Sequence, residues 1–155
     1  MYRRVLLAYD GSVEGRLALR EGARLAQLCH AEVFLLAVVD LSTTVATEFA
    51  SVTLLESDRK HYEEILAEGA RRLTALGLAP RTRLEVGSPS GQIGAVAREI
   101  DADLVVVGHR RQGALARWWF GSTGSFLIDN VNCSVLIGRK EIGDDEFGTM
   151  TSERP

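Results

Sequence analysis

A chain of 155 residues, 46% hydrophobic and 25% charged, is long enough to bury the core of one domain and falls in the ordinary globular range. Its net charge of −3 argues against general nucleic-acid binding, leaving only local basic patches, and no apolar stretch approaches the ~20 residues of a membrane span. Two cysteines, Cys29 and Cys133, make neither a disulfide framework nor a metal-ligand spacing, and the strand pattern that begins within four residues of Met1 leaves no room for a signal peptide, so a cytoplasmic protein is expected.

Val5 to Tyr9 reads as a first buried strand that ends at Asp10-Gly11-Ser12. Ser12 is a good N-cap for the helix that follows, whose buried face is expected to centre on Leu17, Leu25 and Leu28. Around His30 the chain turns into a second apolar strand, Val33 to Val39, which stops at Asp40. Leu41 to Val52 has no clear period. Leu55, Tyr62, Leu66, Leu73 and Leu76 then recur at helical spacing, with Gly77 as a C-terminal cap and Pro80 as a stop. Arg83 to Val86 alternates as an edge strand does, and Gly87-Ser88-Pro89 leads into a helix carrying Ile93, Val96, Ala97 and Ile100 on one face. Leu104 to Val107 and Val135 to Ile137 are short apolar runs bounded by glycines, which is how parallel strands covered on both faces read.

Strands and helices thus alternate five strands deep. The pattern predicts an α/β fold, a doubly wound, five-stranded parallel sheet with helices on both faces. Right-handed crossovers place every loop after a strand on one rim, where such sheets bind ligands. Asp10, the Val38–Asp40 corner and the loop after Gly108 share that rim. The last of these is the richest stretch. Gly108 ends a strand, Gly121-Ser122-Thr123 opens a short helix whose free N–H groups suit an anion, and His109, Arg110, Arg111 and Arg117 lie between them. An ordinary turn with a capping serine would use the same residue types.

The spacing Gly108-x12-Gly121-Ser122, followed by Cys133-Ser134-Val135-Leu136-Ile137, resembles the end of the universal stress protein family. Nucleotide-binding members carry Gly-x2-Gly-x9-Gly-Ser (or Thr) there. Gly108, Gly121 and Ser122 fall into register, and Arg111 stands where the middle glycine would be. Three weaker stretches in the right order extend the resemblance over roughly residues 2–139. They are Val5 to Ser12, Leu35 to Asp40, and Gly87-Ser88-Pro89 with Ala102 to Gly108.

The resemblance implies a Rossmann-like sheet in the order 3-2-1-4-5 and an adenine nucleotide as ligand, ATP or another, with Mg²⁺ as a possible companion. It implies that Ala8 and Asp10 contact the nucleoside and that backbone groups of Val38 meet the adenine edge. Asp10 would accept from ribose hydroxyls or reach a nucleotide-bound Mg²⁺. A carboxylate at a strand end can also simply cap the next helix. Gly108, Gly121, Ser122 and Thr123 would hold phosphate, with Arg110 and Arg111 beside them. Arg111 either fills the phosphate space or pairs with phosphate itself. A lone rim histidine such as His109 is expected at the surface, and Trp118-Trp119-Phe120 is expected to anchor its loop on the sheet.

There is no Walker A sequence, since Gly108-x4-Gly113 continues to Ala114 and Leu115. No Ser-His-Asp order, cysteine pair or dedicated metal site is visible, and no catalytic residue is assigned. The resulting expectation is a nucleotide-binding regulatory module of the stress response. A nucleotide-free dimeric interaction protein and a weak ATPase or phosphotransfer enzyme are the alternatives. As the last strand of an implied edge, Cys133 to Gly138 (Cys133, Ser134, Val135, Leu136, Ile137, Gly138) is expected to pair with its copy in a homodimer. Residues 1–140 form the expected domain. Residues 141–155, with five acidic groups and no apolar period, are expected to be a disordered tail or, alternatively, an acidic docking segment.

Overall fold

The computed structural model describes residues 1–40, 50–109 and 129–149. Five strands, β1 (Arg4–Ala8), β2 (Glu32–Asp40), β3 (Arg81–Gly87), β4 (Leu104–Gly108) and β5 (Ser134–Gly138), form one sheet in the order β3-β2-β1-β4-β5. Every pairing is parallel. β1 lies at the centre, with Leu7 flanked by Leu35 of β2 and Val106 of β4. Alternate residues of the central strands feed two cores. Val5, Leu7, Leu35 and Val106 face one layer, and Leu6, Leu36, Val105 and Val107 face the other. Both faces are dry, so neither strand face needs polar side chains, and the sequence runs apolar without alternation.

Helices α1 (Val13–Cys29) and α2 (Ala50–Ala75) cover the first face, and α3 (Pro89–Glu99) covers the second. α1 begins as expected, with the Ser12 hydroxyl accepting from the Gly15 amide at 3.0 Å. Leu17 is buried and Leu25 packs on the core as expected, but Leu28 does not. The residues turned inward are Gly15, Leu17, Ala18, Leu19, Gly22, Ala23 and Ala26, while Leu28 is 70% exposed. Leu28 follows Ala26 by two positions, about 200° around the helix, so both cannot face the sheet. Small residues make up most of the contact, beside Leu17 and Leu19, because the helix lies close on the strands. A Cβ on Gly138 would stand 2.8 Å from the Ala18 nitrogen.

β3 and β5 are the two edges. β3 is guarded by charge, with Arg83 pairing with Glu85 and Glu99 at 2.8 Å each. β5 is not: Val135, Leu136 and Ile137 are half-buried and carry no charge. The strand begins at Ser134, so Cys133 lies just before it.

The expected disorder beyond residue 140 does not hold for residues 141–149. Ile142 and Phe147 are buried in the core under α1 and α2, Phe147 to 5% exposure, and Asp144–Gly148 forms a short helix, α4. Two well-seated apolar side chains and a set of ion pairs offset the cost of ordering, which composition alone does not reveal. Residues 150–155 lie outside the described residues.

Candidate functional site

At the carboxyl ends of β1, β2 and β4 the sheet opens into a cleft of about 640 Å³, counting its solvent-open mouth. Strand order reverses here, since β1 sends its chain to β2 on one side and receives β4 on the other. Ala8, Leu36, Val38, Val107 and Ile93 form apolar walls, and Tyr62 and Pro89 add two flat surfaces. Asp10 and Asp40 put carboxylates in the same cleft. Flat apolar walls suit a heteroaromatic ring, and carboxylates suit hydroxyl donors.

Asp10 has a local task as well. Its Oδ1 accepts from the Ser12 amide at 3.0 Å and from the Ser12 hydroxyl at 2.5 Å. Ser12 in turn caps α1, so the carboxylate, the turn and the helix start form one hydrogen-bonded unit. The capping role and a ligand role are therefore compatible, because a carboxylate has two oxygens and about four lone-pair sites.

Gly108 has a packing reason of its own. A Cβ there would lie 2.8 Å from the Gly15 Cα and 3.0 Å from the Gly15 nitrogen, both backbone atoms that cannot yield. The strand end and the helix start meet through two bare Cα atoms, which brings the α1 N-terminus against the floor of the cleft. His109 follows, and it is buried at 8% exposure, not at the surface as expected. Its amide donates to the Gly138 carbonyl at 2.6 Å, which draws the residue back along β5.

Of the residues singled out in sequence, Ala8, Asp10, Val38 and Gly108 line this one cleft. Arg110, Arg111, Gly121, Ser122 and Thr123 lie outside the described residues, as do Arg117 and Trp118-Trp119-Phe120. Tyr62, Ile93 and Tyr9 are cleft residues that the sequence places in helices or strands only, and Pro89 is one that it places in the turn before a helix. Tyr62 sat in an apolar helical stripe, and nothing in a period distinguishes an aromatic that faces a cleft from one that faces a core. Tyr9, at the end of an apolar run, carries no sign in sequence that it borders a cleft. Among the described residues no group of three or more His, Cys, Asp or Glu side chains could hold a metal, and no helix is long and apolar enough to cross a membrane.

Comparison with known proteins supplies the deciding observation. The model of the universal stress protein family matches residues 1–139. The chain belongs to the universal stress protein family. A Staphylococcus aureus (strain USA300) chain grouped with that family is 32% identical over 143 residues, spanning 90% of this chain and 86% of the relative. Among solved structures, the universal stress protein UspA from Lactobacillus plantarum superposes with a TM-score of 0.75 at 25% identity, covering 89% of this chain and 98% of that one. A universal stress protein solved in complex with cAMP superposes at 0.66, also at 25% identity, covering 88% and 96%. This family member thus has a relative that was solved with an adenine nucleotide.

Proposed function

We propose that the chain is an adenine-nucleotide-binding regulatory module acting in the cytoplasm in the stress response, with the base between Tyr62 and the apolar walls and the ribose toward Asp10. The observation that carries this reading is the convergence of Ala8, Asp10, Val38 and Gly108 on a single apolar cleft with acidic groups in it. A relative of the same fold solved with cAMP supports it. Val38 contributes through its main chain, whose N–H and C=O are available to any base edge whatever the side chain. ATP, with or without Mg²⁺, is the triphosphate candidate. Asp10 and Asp40 are the described carboxylates in the cleft that would face a nucleotide-bound ion. Phosphate contacts are assigned to Gly108, Gly121, Ser122, Thr123, Arg110 and Arg111.

The protein is further proposed to work as a homodimer through β5, an edge strand among the described residues whose outward N–H and C=O groups would meet those of a second copy across a two-fold axis. The test of the nucleotide reading is mass spectrometry of small molecules released on heat denaturation, followed by calorimetry with cAMP, AMP and ATP. Binding of at least one of these in the micromolar range is expected. Absence of binding to all three would establish the nucleotide-free alternative. Arg111→Ala sharpens the outcome. A larger loss for ATP than for adenosine means the guanidinium pairs with phosphate, and a gain means that it plugs the site.

A further inference from the structure

The Tyr9 side chain leaves the cleft wall on the side of α1 and α2 and is wedged between two glycines. A Cβ on Gly15 would lie 3.3 Å from Tyr9 Cδ2, and one on Gly69 would lie 2.7 Å from Cδ1. The ring is thus held between the two helices with 3% exposure. Its hydroxyl donates to Glu68 Oε2 at 2.8 Å. Glu68 accepts from Arg72 through its other oxygen. The Arg72 guanidinium then donates to Asp144 Oδ1 at 2.7 Å and lies 4.9 Å over the Phe147 ring. Asp144 is also paired with Arg16 at 3.0 Å, and Arg20 donates to the Glu146 carbonyl at 2.6 Å.

A continuous chain of contacts therefore runs from the cleft wall to the segment that follows the family domain. Each link is shared between two partners. Glu68 uses one oxygen for the phenol and one for the guanidinium, and Arg72 divides its donors between Glu68 and Asp144. Loss of the outer partner changes what the inner pair can hold.

We infer that Ile142–Phe147 is an internal ligand for an arginine-lined seat on α1 and α2, and that Tyr9, Glu68 and Arg72 are positioning residues through which its seating favours nucleotide binding in the cleft. The seated segment fixes Arg72, Arg72 fixes Glu68, and Glu68 fixes the phenol of the residue between Ala8 and Asp10. A wall held in its bound form costs a ligand less to organise. Reciprocity requires that a nucleotide, once bound, holds the segment down by the same factor.

This inference rests on the nucleotide reading above, and the experiment separates the two. The affinity of the full-length chain for cAMP is measured by calorimetry beside Asp144→Ala, Tyr9→Phe and the double variant. Hydrogen exchange of residues 141–149 is followed with and without saturating cAMP. Asp144 is largely exposed, so its variant folds. The expected result is a three- to tenfold weaker affinity for Asp144→Ala and exchange in 141–149 slowed by a similar factor when cAMP is bound. In the Tyr9→Phe background, which keeps the ring and cuts the hydroxyl link, Asp144→Ala should have no further effect. Equal or tighter binding by Asp144→Ala, exchange indifferent to cAMP, or an undiminished Asp144→Ala effect in the Tyr9→Phe background overturns the coupling alone. A full-length chain that binds none of cAMP, AMP and ATP overturns the nucleotide reading and the coupling with it.

Discussion

Single residues at the cleft carry two duties, and substitutions separate them. Asp10 is bonded to Ser12 through one oxygen, so Asp10→Ala removes a support of the α1 cap as well as a ligand contact. A stability loss of about 0.5–2 kcal/mol is expected from the capping unit. Asp10→Asn keeps an acceptor for Ser12, and it should retain the melting temperature while weakening nucleotide binding. Thermal melts beside calorimetry check this pair. Gly108→Ala places a methyl against the backbone of α1, and overpacking of that kind costs about 1–3 kcal/mol. Urea unfolding of the nucleotide-free protein should show the loss. No change would mean that α1 can back away from β4.

At the scale of elements, the strands were legible and the helix faces less so. Val5-Leu6-Leu7 and Leu104 to Val107 announce doubly covered strands by being apolar without alternation, whereas the strand order comes from the family resemblance. On α1 the expected face is Leu17, Leu25 and Leu28, of which Leu28 is exposed. The contact uses Gly15, Gly22 and Ala23 because closeness to the sheet decides it, and closeness leaves no mark of hydrophobicity. Ala8, Asp10, Val38 and Gly108, which the family resemblance singles out, all lie at or near strand ends on one rim and line one cleft. Tyr62 could not be singled out, because α2 carries apolar residues toward both the core and the cleft. Nor could Ile142 and Phe147, two isolated apolar residues in an acidic stretch. Truncation after Lys140 removes both, and about 2–4 kcal/mol of stability should go with these two apolar side chains. A melting temperature within a degree of the full-length chain would show that the segment contributes nothing.

For the whole molecule, charge sets the response to acid. The Asp144 carboxyl is held below its ordinary value of 3.8, first by the hydrogen bond from Arg72 and then by the Arg16 charge. Asp103 is lowered by amide donors of Arg3 and Arg4, which tie the start of β1 to the start of β4. Each group binds a proton more weakly when folded than when unfolded. Its contribution is therefore complete above pH ~4 and is lost as pH falls through the lowered folded value. Stability should thus be nearly level from pH 7 to 5 and fall below 4, with a shallower acid slope in Asp144→Asn. A urea midpoint measured at each pH tests this. The Tyr9 phenol, raised by burial and then by its bond to Glu68, stays protonated throughout that range and keeps donating. Light scattering at micromolar concentration tests the assembly. A dimer is expected, and Leu136→Lys should make it a monomer by charging the edge.

The strand order has a consequence for synthesis. β1 leaves the ribosome first and ends in the middle of the sheet, between the second strand made and the fourth. Growth proceeds outward on one side through β2 and β3 and only then turns back across β1. Until Leu104 to Gly108 emerges, one flank of the central strand shows its main-chain donors and acceptors to solvent. Nascent chains halted before residue 104 should be digested by a pulse of protease that chains extended past Gly138 survive. The two glycines that let α1 sit down on β4 and β5, at 108 and 138, are the last residues of the last two strands to arrive. Compaction of α1 onto these strands therefore waits until β5 has been made.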